Sequence, residues 1–154
     1  MKKLTPVLAV LILTATAEGN ARADTVDDDT GGTGAAVGVE FGYPGNIGLS
    51  LRFGRTPINL AWSQDFLHGT IDYWVLREPI APDVGLSLYI GPGLDAGIPL
   101  NDVDNFGLAV RVPIGLQWMV TDRVETFAEL APGIQLVDEV DFYWAGNLGI
   151  RIVL

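Results

Sequence analysis

Acids and arginines recur in this chain at spacings that could bring them together. Glu40 with Arg52, Asp95 with Arg111, and Glu129 with Arg151 each offer a carboxylate and a guanidinium. That combination can form two parallel charge-assisted hydrogen bonds. Such pairs either plug an interior and fix strand register, or line a polar track for a small solute. Asp65 and Asp72 flank His68-Gly69. A two-residue turn there would set the two carboxylates face to face, where they repel unless a cation, an arginine or a proton intervenes. They are the candidate cation site, set against plain solvation. Asp102-x-Asp104 resembles half of a calcium loop, but nothing follows at the spacing that calcium sites use. His68 is the single histidine; it reads as a turn residue, and no serine has the spacing of a nucleophile signature. No phosphate loop, zinc spacing or dinucleotide fingerprint occurs. No catalytic residue, metal ligand set or cofactor is therefore expected.

The elements that must position these residues are strands. From Ala35 onward the dominant period is two. In Phe106 to Val120 the even positions are all apolar, and the odd ones, Gly107, Ala109, Arg111, Pro113, Gly115, Gln117 and Met119, are small or polar apart from Met119. Similar runs occupy 37–43, 47–53, 58–66, 70–75, 84–90, 124–136 and 142–154, making eight. Turn residues separate them at 44–46, 54–57, 68–69, 78–83, 99–105, 121–123 and 138–141. The expected fold is an all-β, eight-stranded antiparallel up-and-down meander closed into a β-barrel. Pro92, Pro113 and Pro132 each remove a ladder donor, and each has a glycine within two residues, so bends are expected there. Alternation continues unbroken through Pro113, which argues against a one-residue bulge at that point.

Alternation alone fits two barrels: a soluble one with its apolar face inside, and a membrane one with that face against lipid. The non-apolar face here is rich in Gly, Ala and Ser, with few charges. Small residues suit the narrow lumen of eight strands, whereas a water-facing surface would carry many Lys, Glu and Thr. Aromatics are expected at both rims, with Tyr43, Phe66, Tyr73, Phe106, Phe142 and Trp144 at one and Phe53 and Trp118 at the other. Acids cluster in the connections on the first side (Asp102, Asp104, Asp138, Glu139, Asp141), and Arg55 and Arg123 in those on the second.

The first segment points to export. Lys2 and Lys3 precede an apolar run, Leu4 to Leu13, and then Ala15-Thr16-Ala17 and Ala21-Arg22-Ala23. This is the layout of a secretory signal peptide, and its apolar run is shorter than the about 20 residues of a spanning helix. Residues 1–23 are read as the signal, with cleavage after Ala17 the alternative, and no lipoprotein anchor is expected, since the chain has no cysteine. Residues 24–34 are read as a flexible acidic leader, and 35–154 as the barrel domain. Removing 1–23 takes Lys2, Lys3, Arg22 and Glu18 from nine basic and 19 acidic residues. Six Arg then face 18 acids, a net of −12, which argues against nucleic acid.

The runs LAVRVPIGLQWMV, TFAELAPGIQLV and GNLGIRIVL resemble a family of small bacterial outer-membrane β-barrel proteins of unknown function. The matching residues are Arg111, Pro113, Gly115, Leu116, Phe127, Glu129, Ala131, Pro132, Gly133, Gly149, Ile150 and Arg151, within about a third of the chain. The resemblance implies an outer-membrane barrel and no activity. Such proteins often end in an aromatic residue used as an assembly signal, where this chain has Leu154.

The reading is a non-enzymatic outer-membrane barrel with a structural, small-solute or surface-interaction role. Its expected partners are the lipid bilayer and the outer-membrane assembly machinery; no small-molecule partner is identifiable. The alternative is a soluble periplasmic lipocalin-like barrel holding an apolar ligand. A third reading is a lipid-modifying enzyme using His68 with an inward carboxylate.

Overall fold

The computed structural model describes residues 34–100, 106–137 and 140–154. The signal segment, the leader up to Thr33, and Asp102, Asp104, Asp138 and Glu139 lie outside the described residues. The strands are β1 (Ala35–Tyr43), β2 (Ile47–Phe53), β3 (Thr56–Trp62), β4 (Phe66–Asp72), β5 (Leu76–Ala81), β6 (Leu86–Ile90), β7 (Gly93–Pro99), β8 (Gly107–Arg111), β9 (Ile114–Thr121), β10 (Val124–Gln135) and β11 (Asp141–Val153). One helical turn, Pro82–Val84, joins β5 to β6.

All pairings are antiparallel. They run β11-β1-β2-β3-β4-β7-β8-β10, and β10 pairs back to β11, so eight strands form a ring. The other three extend it: β5 pairs with β6, β6 with β9, and β9 with β10. The count exceeds the expected eight because three segments are interrupted. β4 and β5, β6 and β7, and β8 and β9 are successive halves, parted at 73–75, 91–92 and 112–113. Two of the gaps hold Pro92 and Pro113, which have no N–H to give the ladder. The interruptions line up across the wall. Tyr73 N–H donates to the Pro92 carbonyl (2.9 Å), Gly91 N–H to that of Pro113 (3.3 Å) and Val112 N–H to that of Pro132 (2.9 Å). Pro132 itself sits inside β10, where the partner changes from β9 to β8.

Register shows what each break does. Leu130 faces Ile114 and Gly133 faces Arg111, one frame on both sides of Pro113. No residue is inserted there, in keeping with the unbroken alternation. At 73–75 the frame changes by one, because Asp72 faces Gly93 while Leu76 faces Ile90. Val75 and Leu76 are consequently both exposed, and Arg77 reaches inward to give its Nε–H to Gln117 Oε1 at 2.7 Å.

One expected turn is misplaced. His68-Gly69 lies in the middle of β4, and the chain reverses at Ser63-Gln64-Asp65, where Ser63 N–H donates to the Phe66 carbonyl (2.8 Å). Gly69 is a strand residue. One aromatic moves with this correction. Tyr73 lies at the far end of β4, beside Trp74, whose N–H donates to the Arg55 carbonyl, so it belongs to the rim of Phe53 and Trp118. Phe66 is only half-buried at its own rim, lying over Gly97.

The side chains are sorted inside out. Arg52 is 0% exposed, Arg111 2% and Arg151 1%, whereas Leu49 is 48%, Leu130 63% and Ile152 57% exposed. Large apolar side chains cover the outside, and the ring encloses polar ones. Inward aromatics lie over glycines of the neighbouring strand: Tyr89 on Gly115, Phe127 on Gly149, and Tyr143 on Gly133. Each bare glycine leaves the ring room to lie flat, which explains much of the small-residue bias of this face.

Candidate functional site

The enclosed side chains form three groups, stacked from the end that holds Gly34 and Leu154. The first centres on Glu125. It faces Arg151 across the β10–β11 pair and receives Nη1 of Arg151 at 2.7 Å. Arg52, from β2, meets the same carboxylate through Nε (3.0 Å) and Nη2 (2.7 Å). Arg151 Nε–H also donates to Ser50 Oγ at 2.9 Å. Ser50 in turn donates to Asn59 Oδ1, and Asn59 to Thr70 Oγ1. The Arg151 guanidinium lies 3.8 Å from the centre of the Phe127 ring, a cation–π contact.

The second group centres on Arg111. Its Nε and Nη2 grip Asp72 at 2.8 and 2.7 Å, and Nη2 also bonds Glu129. Tyr89 O–H donates to the other oxygen of Glu129 at 3.0 Å and stacks on Trp74 with ring centres 4.2 Å apart. Burying ions costs several kcal/mol each unless geometry and extra hydrogen bonds offset it. Sharing one carboxylate between two guanidiniums, and one guanidinium between two carboxylates, supplies both. Glu40 lies buried beside these groups, with Oε2 making no hydrogen bond among the described residues.

The third group is smaller. Asp95 accepts from Tyr143 O–H at 2.6 Å through one oxygen. Its other oxygen lies 2.5 Å from His68 Nε2. These residues face a cavity of about 390 Å³ at the end away from the chain termini, walled by Tyr43, Phe66 and Leu108. Gly97, Gly107 and Ala109 also line it, and their small size leaves the space open.

Glu40, Arg52, Asp95, Arg111, Glu129 and Arg151 are all buried inside, but the expected partners are exchanged. Arg52 bonds Glu125, because Glu40 faces Gly48 and Arg52 faces Ala36. Arg151 bonds Glu125, because Glu129 faces Asn147. Asp95 is diagonal to Arg111, which faces Gly93, and Arg111 takes Asp72 and Glu129 instead. Asp65 and Asp72 do not meet. Asp65 is exposed in the β3–β4 turn, and Asp72 is buried at the opposite end of β4 against Arg111. The candidate cation site is therefore not assembled. Among the described residues no three His, Cys, Asp or Glu are grouped to hold a metal. His68, read as a turn residue, is a buried strand residue. A histidine held by a carboxylate resembles half of a general-base arrangement, but His68 makes no hydrogen bond to a hydroxyl among the described residues. Sequence reasoning missed Glu125 as a site residue, although alternation already placed it on the same face as Glu129.

Compared with known proteins, the chain matches no family model, no curated protein and no solved structure.

Proposed function

We propose that the ring is a closed eight-stranded β-barrel spanning an outer membrane, non-enzymatic, with a plugged lumen. The observation that carries this reading is the inverted polarity of the wall. Three arginines and five carboxylates are buried inside, while Leu49, Leu116, Leu130 and Ile150 stand exposed outside. In water such a surface is unfavourable at about 25 cal/mol per Å² of apolar area, and in hydrocarbon it is the favoured one. A ring that pairs its first strand with its last also has few unsatisfied backbone groups to present to lipid. The signal-like first segment, the aromatic rims and the resemblance to small bacterial outer-membrane barrels agree with this address. The lumen groups built on Glu125 and Arg111 block the ring's interior, so the role is structural or at the surface, including small-solute contact, rather than conduction.

Cell fractionation with a heat-modifiability gel tests the reading. A protein found in the outer membrane whose mobility changes on boiling supports it. A soluble periplasmic protein overturns it and favours the lipocalin-like alternative, which requires the apolar face to turn inward.

A further inference from the structure

The charges inside the ring do not balance. Five buried carboxylates (Glu40, Asp72, Asp95, Glu125 and Glu129) face three buried guanidiniums, those of Arg52, Arg111 and Arg151, with the half-buried Arg77 reaching in to Gln117. All three arginines are engaged by Glu125, Asp72 and Glu129. Asp95 has only His68 and Tyr143 within bonding distance among the described residues. It is 5% exposed and lines the cavity of about 390 Å³. Of the two carboxylates beyond Glu125, Asp72 and Glu129, Asp95 sits where the molecule is hollow, and Glu40 lies beside the Glu125 and Arg111 groups. Two aromatic rings, Phe66 and Tyr143, line the same space with Leu108. Asp65, in the turn before Phe66, and Asp141, which opens β11 two residues before Tyr143, are both exposed. A low-dielectric cleft focuses such a field, and aromatic walls add cation–π attraction for an organic ammonium group.

We propose that this cavity binds a small organic cation, an amine or quaternary ammonium group on a compact apolar body. The charged head lies against Asp95, and the body lies among Phe66, Leu108 and Tyr143. This names the solute class for the small-solute role above, but it does not depend on the membrane address. An anion of the same size is opposed by the same field.

Gly107 gives a clean way to close the site. A Cβ there would lie 3.7 Å from the Gly97 carbonyl oxygen and 4.0 Å from Gln135 Nε2, both ordinary contacts, at a residue that lines the cavity. The experiment is calorimetric titration of the folded full chain in a non-ionic detergent, or in plain buffer if fractionation finds it soluble. The probes are benzyltrimethylammonium, phenylacetate and benzyl alcohol. The expected result is saturable binding of benzyltrimethylammonium at one per chain, tighter than either other probe. Asp95→Asn should weaken it tenfold or more, and Gly107→Leu should abolish it. If Asp95→Asn fails to fold, Gly107→Leu decides. The inference is overturned if the ammonium probe does not bind, if phenylacetate binds as tightly, or if Gly107→Leu leaves binding unchanged. Fractionation judges the address, so either idea can fail without the other.

Discussion

Arg111 grips Asp72 with two parallel hydrogen bonds, Nε to Oδ1 and Nη2 to Oδ2 at 2.8 and 2.7 Å, across 39 residues of chain. Both side chains are buried, and the same guanidinium holds Glu129. Replacing it leaves two buried carboxylates without their cation. Arg111→Met is expected to destabilise the fold by about 3–5 kcal/mol, the cost of breaking a buried pair. Denaturant unfolding in detergent checks this as a lower midpoint at unchanged slope; a midpoint equal to that of the parent would refute it.

Arg52 and Arg151 stand on β2 and β11, the strands on either side of β1, and share Glu125. Their losses should therefore not add. A double-mutant cycle of Arg52→Ala and Arg151→Ala is expected to give an interaction energy of about 0.5–3 kcal/mol, the range for residues in one network. Strict additivity would mean that Glu125 does not join them.

Gly115 lies beneath the ring of Tyr89, and an added Cβ there would also strike the Ala128 carbonyl oxygen. Gly115→Ala must displace Tyr89, which donates to Glu129 and stacks on Trp74. Overpacking of this kind costs about 1–3 kcal/mol. The same unfolding assay reads it, and a neutral result would show that the ring has slack.

Leu116 and Gln117 are neighbours in β9 on opposite faces, 41% and 0% exposed. If the outer face meets lipid, Leu116→Arg costs about 2–4 kcal/mol near the bilayer midplane and lowers the yield of membrane-assembled protein. If that face meets water, the change is nearly silent. Heat-modifiable protein recovered from the membrane fraction separates the two.

The faces of this fold were legible in the sequence, and the partners were not. Period two assigns Arg52, Arg111, Glu125 and Arg151 to one side of the wall whatever the turn length. A two-residue change in register keeps every face and changes every neighbour. Counting a three-residue turn after Tyr43 put Glu40 near Arg52. In the structure Phe41 faces Ile47, so five residues intervene and Glu40 slides away from Arg52. The β3–β4 reversal failed for a different reason. Gly69 beside His68 imitates a turn, while Ser63-Gln64-Asp65, the true reversal, lies inside a run that still alternates. The cavity was hidden altogether, because its emptiness comes from Gly97, Gly107 and Ala109, which meet only when β7 and β8 pair.

The interior groups toward the two ends of the ring answer to different constraints. Toward the end that holds Gly34 and Leu154, Glu125 and Arg111 each serve two partners, so a change at one position needs matching changes elsewhere. Toward the other end, Asp95 depends on two side chains and the cavity on a few small residues. The cavity end can accept substitutions one at a time while the groups on Glu125 and Arg111 hold the fold. A scaffold built in this way has evolutionary latitude at its hollow end, and little at the other.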